Sequence, residues 1–124
     1  MAGEDKIAQS RRAYEAFAQG DVASATDNLA DDVEWIVNGQ SAVSGSYRGK
    51  EEVLGFFGRL AEKGFSTHPE YWLSDGERVV VLTHVRIGGE EYDGVDVFTY
   101  SGDKVTKYQG AHDTAVYERV FGRR

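Results

Sequence analysis

The chain has 124 residues, of which 40% are hydrophobic and 28% charged, and its formal net charge is −7. That length suits one domain, residues 1–124, with a core of its own, and the acidic balance argues against nucleic acid and anionic membranes as partners. With no cysteine there is no disulfide framework, thiolate nucleophile or Cys-bound metal, and no apolar run nears the ~18 residues of a membrane span. The opening Met-Ala-Gly-Glu-Asp-Lys lacks the basic-then-apolar order of a secretory signal, so a cytoplasmic location is expected.

The spacing predicts a first helix over residues 5 to 19, with Ile7, Tyr14, Phe17 and Ala18 on one stripe and Gly20 ending it. Asp21 caps a short second helix that carries Val22, Ala25 and Leu29 inward, and Ala30-Asp31-Asp32 closes it. A strand follows from Val33 to Asn38, with Val33, Trp35 and Val37 on one face. Residues Gly39 to Tyr47, rich in Ser and Gly, read as a flexible loop. A third helix over Lys50 to Lys63 shows a broad apolar stripe of Val53, Leu54, Phe56, Phe57, Leu60 and Ala61. Gly55 and Gly58 inside it cost propensity, which points to close packing or ligand approach there.

From Phe65 the period switches to two. Strands are predicted at about 65–73, 78–87, 91–100 and 104–112, joined by Ser74-Asp75-Gly76, Gly88-Gly89 and Ser101-Gly102-Asp103 turns. Thr114 to Gly122 reads as a short helix capped by Asp113, and Arg119, Arg123 and Arg124 as a solvated basic tail. The fold class is therefore α+β: a cone-shaped, curved antiparallel sheet wrapped around N-terminal helices, in the order α-α-β-α-β-β-β-β. The open end of such a cone is a natural pocket. Val80, Leu82, Val95 and Val97 make the other sheet face apolar too, which suggests a homodimer through it, with His84 and Arg86 at the interface.

Asp96 stands out, because a carboxylate within Gly94-Val95-Asp96-Val97-Phe98-Thr99-Tyr100 loses hydration, and desolvation favours its neutral form. Alternation places Tyr92, Asp96, Phe98 and Tyr100 on one face, beside Tyr108, Gly110 and His112 of the last strand. Gly110 opens room for a ligand, and His112 titrates near neutrality, which suits acid/base work. No His/Asp/Glu spacing suggests a metal, and no glycine-rich phosphate loop is present, so no cofactor is expected.

Several segments together resemble one family. Tyr14-Glu15-Ala16-Phe17-Ala18-Gln19-Gly20-Asp21, Leu29-Ala30-Asp31-Asp32-Val33-Glu34-Trp35, Ser46-Tyr47-Arg48-Gly49-Lys50-Glu51-Glu52-Val53, Asp75-Gly76-Glu77-Arg78-Val79-Val80-Val81 and Val97-Phe98-Thr99-Tyr100-Ser101-Gly102-Asp103-Lys104-Val105 carry it, with His112-Asp113-Thr114 at the end. The chain is similar to the nuclear transport factor 2-like superfamily, in its SnoaL-like and ketosteroid isomerase-like branch. By that resemblance Asp96 matches the neutral acid of the isomerase oxyanion hole. Tyr14 lies one residue from the position of the isomerase tyrosine, which falls on Ala13. The isomerase general base falls on Val37, beside Asn38, and neither can take a proton.

The expected function is a small cofactor-independent acid/base enzyme of isomerase, dehydratase or cyclase type, acting on a hydrophobic ring compound. Asp96, His112 and Tyr14 are the catalytic candidates, and Trp35, Val37, Phe57, Phe98 and Tyr108 the substrate-binding ones. A non-catalytic small-molecule-binding or dimerisation module of the same fold is the alternative.

Overall fold

The computed structural model describes residues 2–124. Helix α1 (Ala2–Ala18) and a one-turn α2 (Val22–Ala25) precede β1 (Leu29–Val37), β2 (Gly45–Arg48) and α3 (Gly49–Glu62). The chain then runs through β3 (Ser66–Ser74), β4 (Arg78–Ile87), β5 (Glu90–Ser101) and β6 (Lys104–Ala111) to α4 (Thr114–Phe121). One curved, six-stranded sheet results, in the order β2-β1-β6-β5-β4-β3. All its neighbours are antiparallel except β1 and β6, which pair in parallel. The α+β cone predicted from the sequence is the observed architecture.

Local chemistry explains the joints. Gly20, at φ 78°, ends α1 in a conformation a side chain would resist. Asp21 caps α2 by accepting from the Ser24 amide, and Asp113 caps α4 by accepting from Val116. Pro69 sits on the edge strand β3, where its missing N–H breaks no ladder, and the register slips beside it.

Helix α1 packs against β3 and β4, and α3 against β1 and β2. Val53, Phe56 and Leu60 of α3 meet Val33, Trp35, Val37, Val79, Val81, Val85 and Val105 of the sheet in one core. The buried row Val79, Val81, Thr83 and Val85 turns the intervening His84 and Arg86 to the opposite face.

Four sequence expectations are corrected. The Ser/Gly-rich loop holds a strand: Gly45–Arg48 pairs with β1, an arrangement its own side chains do not signal. Leu29 is buried as the first residue of β1 rather than on α2, and Asp31 and Asp32 are exposed strand residues, not the close of that helix. The C-terminal arginines are solvated as expected but do not form a loose tail: Arg119 grips Glu90 with three hydrogen bonds, Arg123 bridges to Ser41, and Arg124 donates to the Ser44 carbonyl. Finally, a methyl group at Gly55 or Gly58 would meet nothing within 4 Å, so close packing does not account for these glycines, and neither lines the cavity between the sheet and the helices.

The outer sheet face is uncovered. Strand pairing sets Leu73, Val80 and Val97 in one row and Tyr71, Leu82 and Val95 in the next. Tyr71 is 66% exposed, Leu73 61% and Leu82 39%. At one end of this patch His84 bonds Glu91 and Asp93, and those two carboxylates raise its pKa. Among the described residues, no helix is long and apolar enough to cross a membrane.

Candidate active site

A cavity runs along β5 and β6 between the sheet and the helices. Trp35, Val37, Phe57, Phe98 and Tyr108 all line it, as do Asp96, His112 and Tyr14. Ala13 reaches the same cavity, one residue from Tyr14. Among the described residues, no lysine or arginine lines it.

Asp96 is the centre. Its side chain is 9% exposed and accepts three hydrogen bonds from three places in the chain. The Tyr14 hydroxyl of α1 donates to Oδ2 at 2.5 Å. The Tyr108 hydroxyl of β6 donates to Oδ1 at 2.6 Å, and His112 Nε2 reaches the same oxygen at 2.6 Å. The sequence placed Tyr14 only near the pocket; the structure puts its hydroxyl on the carboxylate.

Burial alone pushes the Asp96 carboxyl up, as its surroundings in the sequence imply. The His112 hydrogen bond and charge and the two phenol donors outweigh it, and the carboxyl is held below the usual range. Asp96 is thus a hydrogen-bonded carboxylate, which corrects the expectation of a neutral acid. Its tyrosines answer in the opposite sense: burial first, then the Asp96 charge, keep Tyr14 and Tyr108 well above 10.0 and proton-bearing.

His112 is held from every side. Its Nδ1 faces the Tyr92 hydroxyl at 2.6 Å, which makes Tyr92 the donor when Nε2–H points to Asp96. Its backbone is latched by Asn38, whose amide accepts from the His112 N–H at 3.2 Å and donates to the His112 carbonyl at 3.1 Å. Asn38 therefore extends the parallel β1–β6 pairing past Ile36 and Gln109 and fixes the segment that carries the imidazole. Sequence reasoning found no role for this residue beyond the lack of a base.

Gly110 has a different use from the one expected. A methyl group there would collide with the Tyr108 hydroxyl and lie 2.8 Å from His112 Cδ2. Its missing side chain makes room for the polar cluster, and the glycine itself lies in the cavity wall. Gly94 does the same opposite, since a methyl group there would lie 3.0 Å from His112 Nδ1. Trp35 stacks on Tyr108 with centroids 4.0 Å apart and planes 18° off parallel, which holds the phenol in place. Ser10, Asn28 and Tyr100 also line the cavity, and sequence periodicity gave no sign of Ser10 or Asn28.

The family profile described as SnoaL-like domain matches residues 10–108. An uncharacterized protein of Mycobacterium tuberculosis is 43% identical over 51 residues, which cover 41% of this chain and 39% of that protein. The match thus spans about two fifths of the curated relative's length. The structure of Bal32a from a soil-derived mobile gene cassette superposes with a TM-score of 0.87 at 26% identity, covering 98% of this chain and 99% of that one. An NTF2-like protein of unknown function from Burkholderia pseudomallei superposes with a TM-score of 0.82 at 24% identity, covering 98% of each chain.

Proposed function

This chain belongs to the SnoaL-like domain family, and from that premise we propose that it is a cofactor-independent acid/base enzyme acting on a hydrophobic, ring-containing small molecule in the cone. One observation carries the reading: a buried carboxylate paired with an imidazole and two phenols, within apolar and aromatic walls. In this reading His112 moves the proton, and the Asp96 carboxylate stabilises the positive charge that develops on the ring. Tyr14 and Tyr108 keep their protons and spend them on the two Asp96 oxygens, which holds the carboxylate in place beside the substrate. Isomerisation, dehydration and aldol-type cyclisation share that equipment.

The binding-module alternative draws on one observation of its own. Val37 and Asn38 stand where a steroid isomerase carries its base, and the Asn38 amide is spent on the His112 backbone. The two readings part on 2-tetralone, an enolisable ring ketone, in heavy water. The enzyme reading expects its α-protons to exchange faster than in buffer, saturably with ketone concentration, by NMR. Saturable binding with exchange at the buffer rate would sink it in favour of the binding module.

The reading includes a homodimer through the outer sheet face, supported by the exposed Tyr71, Leu73 and Leu82. Sedimentation equilibrium is expected to give twice the 13.7 kDa chain mass. A monomer that stays monomeric at rising concentration would remove the dimer and leave the cavity chemistry untouched.

A further inference from the structure

Ser10 Oγ and the Tyr100 hydroxyl lie 2.7 Å apart in the wall of the same cavity, and Asn28 Nδ2 donates to the Tyr100 oxygen at 3.2 Å. Ser10 is 3% exposed and Tyr100 6%. The donor count does not close. Two hydroxyls bring two protons, and one proton lies between them. The other has no acceptor among the described residues: the Asn28 amide presents its nitrogen, and the Ser10 hydroxyl makes no bond to the helix backbone. A spare O–H in a buried wall is a group awaiting an acceptor. Burial pushes the Tyr100 phenol up, so it does not shed the proton at neutral pH.

The place of this cluster gives the acceptor its position. Tyr100 stands four residues beyond Asp96 on β5, about 13 Å of strand. Ser10 stands one turn before Tyr14 on α1, ~6 Å along the axis. Between the two polar groups the wall is aromatic, formed by Phe98, Trp35 and Phe57. We infer that Ser10, Asn28 and Tyr100 form a second binding station, which takes an oxygen on the far end of the substrate. The substrate class is then an uncharged, flat, apolar molecule with an oxygen function at each end. One oxygen meets the Asp96 group and the other accepts the spare hydroxyl proton. The absence of any lining lysine or arginine selects against a carboxylate at either end.

This rests on the cavity being the ligand site, and the test separates the two claims. Binding of 2-naphthol and 2,6-dihydroxynaphthalene is measured by calorimetry on the wild type, Ser10→Ala and Tyr100→Phe. The diol is expected to bind the wild type ~5–10-fold more tightly, about one net hydrogen bond. Both variants are expected to lose that preference and to bind the two compounds alike. Equal binding of the two compounds by the wild type overturns the second station while leaving the cavity reading standing. A preference that survives in both variants also overturns it. Failure of both compounds to bind overturns the cavity reading and the station with it.

Discussion

Asp96→Asn is expected to slow proton exchange on a ring ketone by ~10²–10⁴-fold, the usual worth of a positioned acid/base group. The reason is the donor count. The carboxylate accepts from Tyr14, Tyr108 and His112, all at 2.5–2.6 Å. An amide offers one oxygen and turns two N–H groups toward groups that are themselves donors. His112 loses the charge that would stabilise its protonated ring, and at least one phenol is left facing a donor. The accompanying stability loss at neutral pH is about 1–3 kcal/mol, the cost of an unpaired buried polar group. A stability of ~5–15 kcal/mol absorbs that, so the variant folds and its activity can be read.

The pH dependence has a definite sign. The folded-state pKa of Asp96 lies below its ordinary value of 3.8. Such a group contributes stability that is complete above the unfolded pKa and is lost as pH falls through the folded one. The gap in stability between wild type and Asp96→Asn is therefore expected to be constant near neutrality and to narrow in acid, by denaturant titration at each pH. A gap that widened as pH fell would mean a raised carboxyl pKa and a neutral acid after all. For the binding module, the same substitution would change ligand affinity with no exchange reaction to lose.

Gly110→Ala is expected to damage site and fold together, with the melting temperature falling by several degrees. Overpacking of a filled space costs ~1–3 kcal/mol. Neither obstructed group can step aside, because Tyr108 is stacked on Trp35 and bonded to Asp96, and His112 is latched by Asn38. Gly58→Ala is the matched control with the opposite sign. Its methyl group meets nothing, Gly58 has no positive φ, and alanine gains ~1 kcal/mol of helix propensity there. Melting scans of the two variants side by side decide the matter. A Gly110→Ala variant as stable as wild type would show that the cluster packs more loosely than its distances say.

Much of this was legible in the chain. Period-two alternation from Phe65 onward fixed which residues of β5 and β6 face inward, because one buried face leaves no freedom of register. That put Asp96, Phe98, Tyr108 and His112 on one wall before any coordinates. What alternation cannot carry is the count of partners on a group. The desolvation of Asp96 is a property of its neighbours in sequence, whereas the bonds that reverse it come from Tyr14, 82 residues away, and from Tyr108 and His112 across a hairpin. Asn38 and Ser10 escaped for a related reason. A lone amide at a strand end and a lone serine on a helix read as solvated, and only the tertiary fold shows what they touch. Strand β2 was hidden by its composition, since Gly45 and Ser46 carry no strand preference and pairing with β1 alone extends them.

The donors of Asp96 also set an order of assembly. Tyr108 and His112 lie 12 and 16 residues from Asp96, within reach of the β5–β6 hairpin, whereas Tyr14 must close a loop of 82. Loop entropy favours the short closures first. The carboxylate is then expected to be caught by the imidazole and one phenol while α1 is still loose, with the Tyr14 hydroxyl arriving last as the helix docks. A bond made after the transition state leaves the folding rate alone and slows unfolding. In this chain the tyrosine nearest the proposed chemistry therefore doubles as a bolt on the N-terminal helix, and the lifetime of the native state is partly written in one phenol.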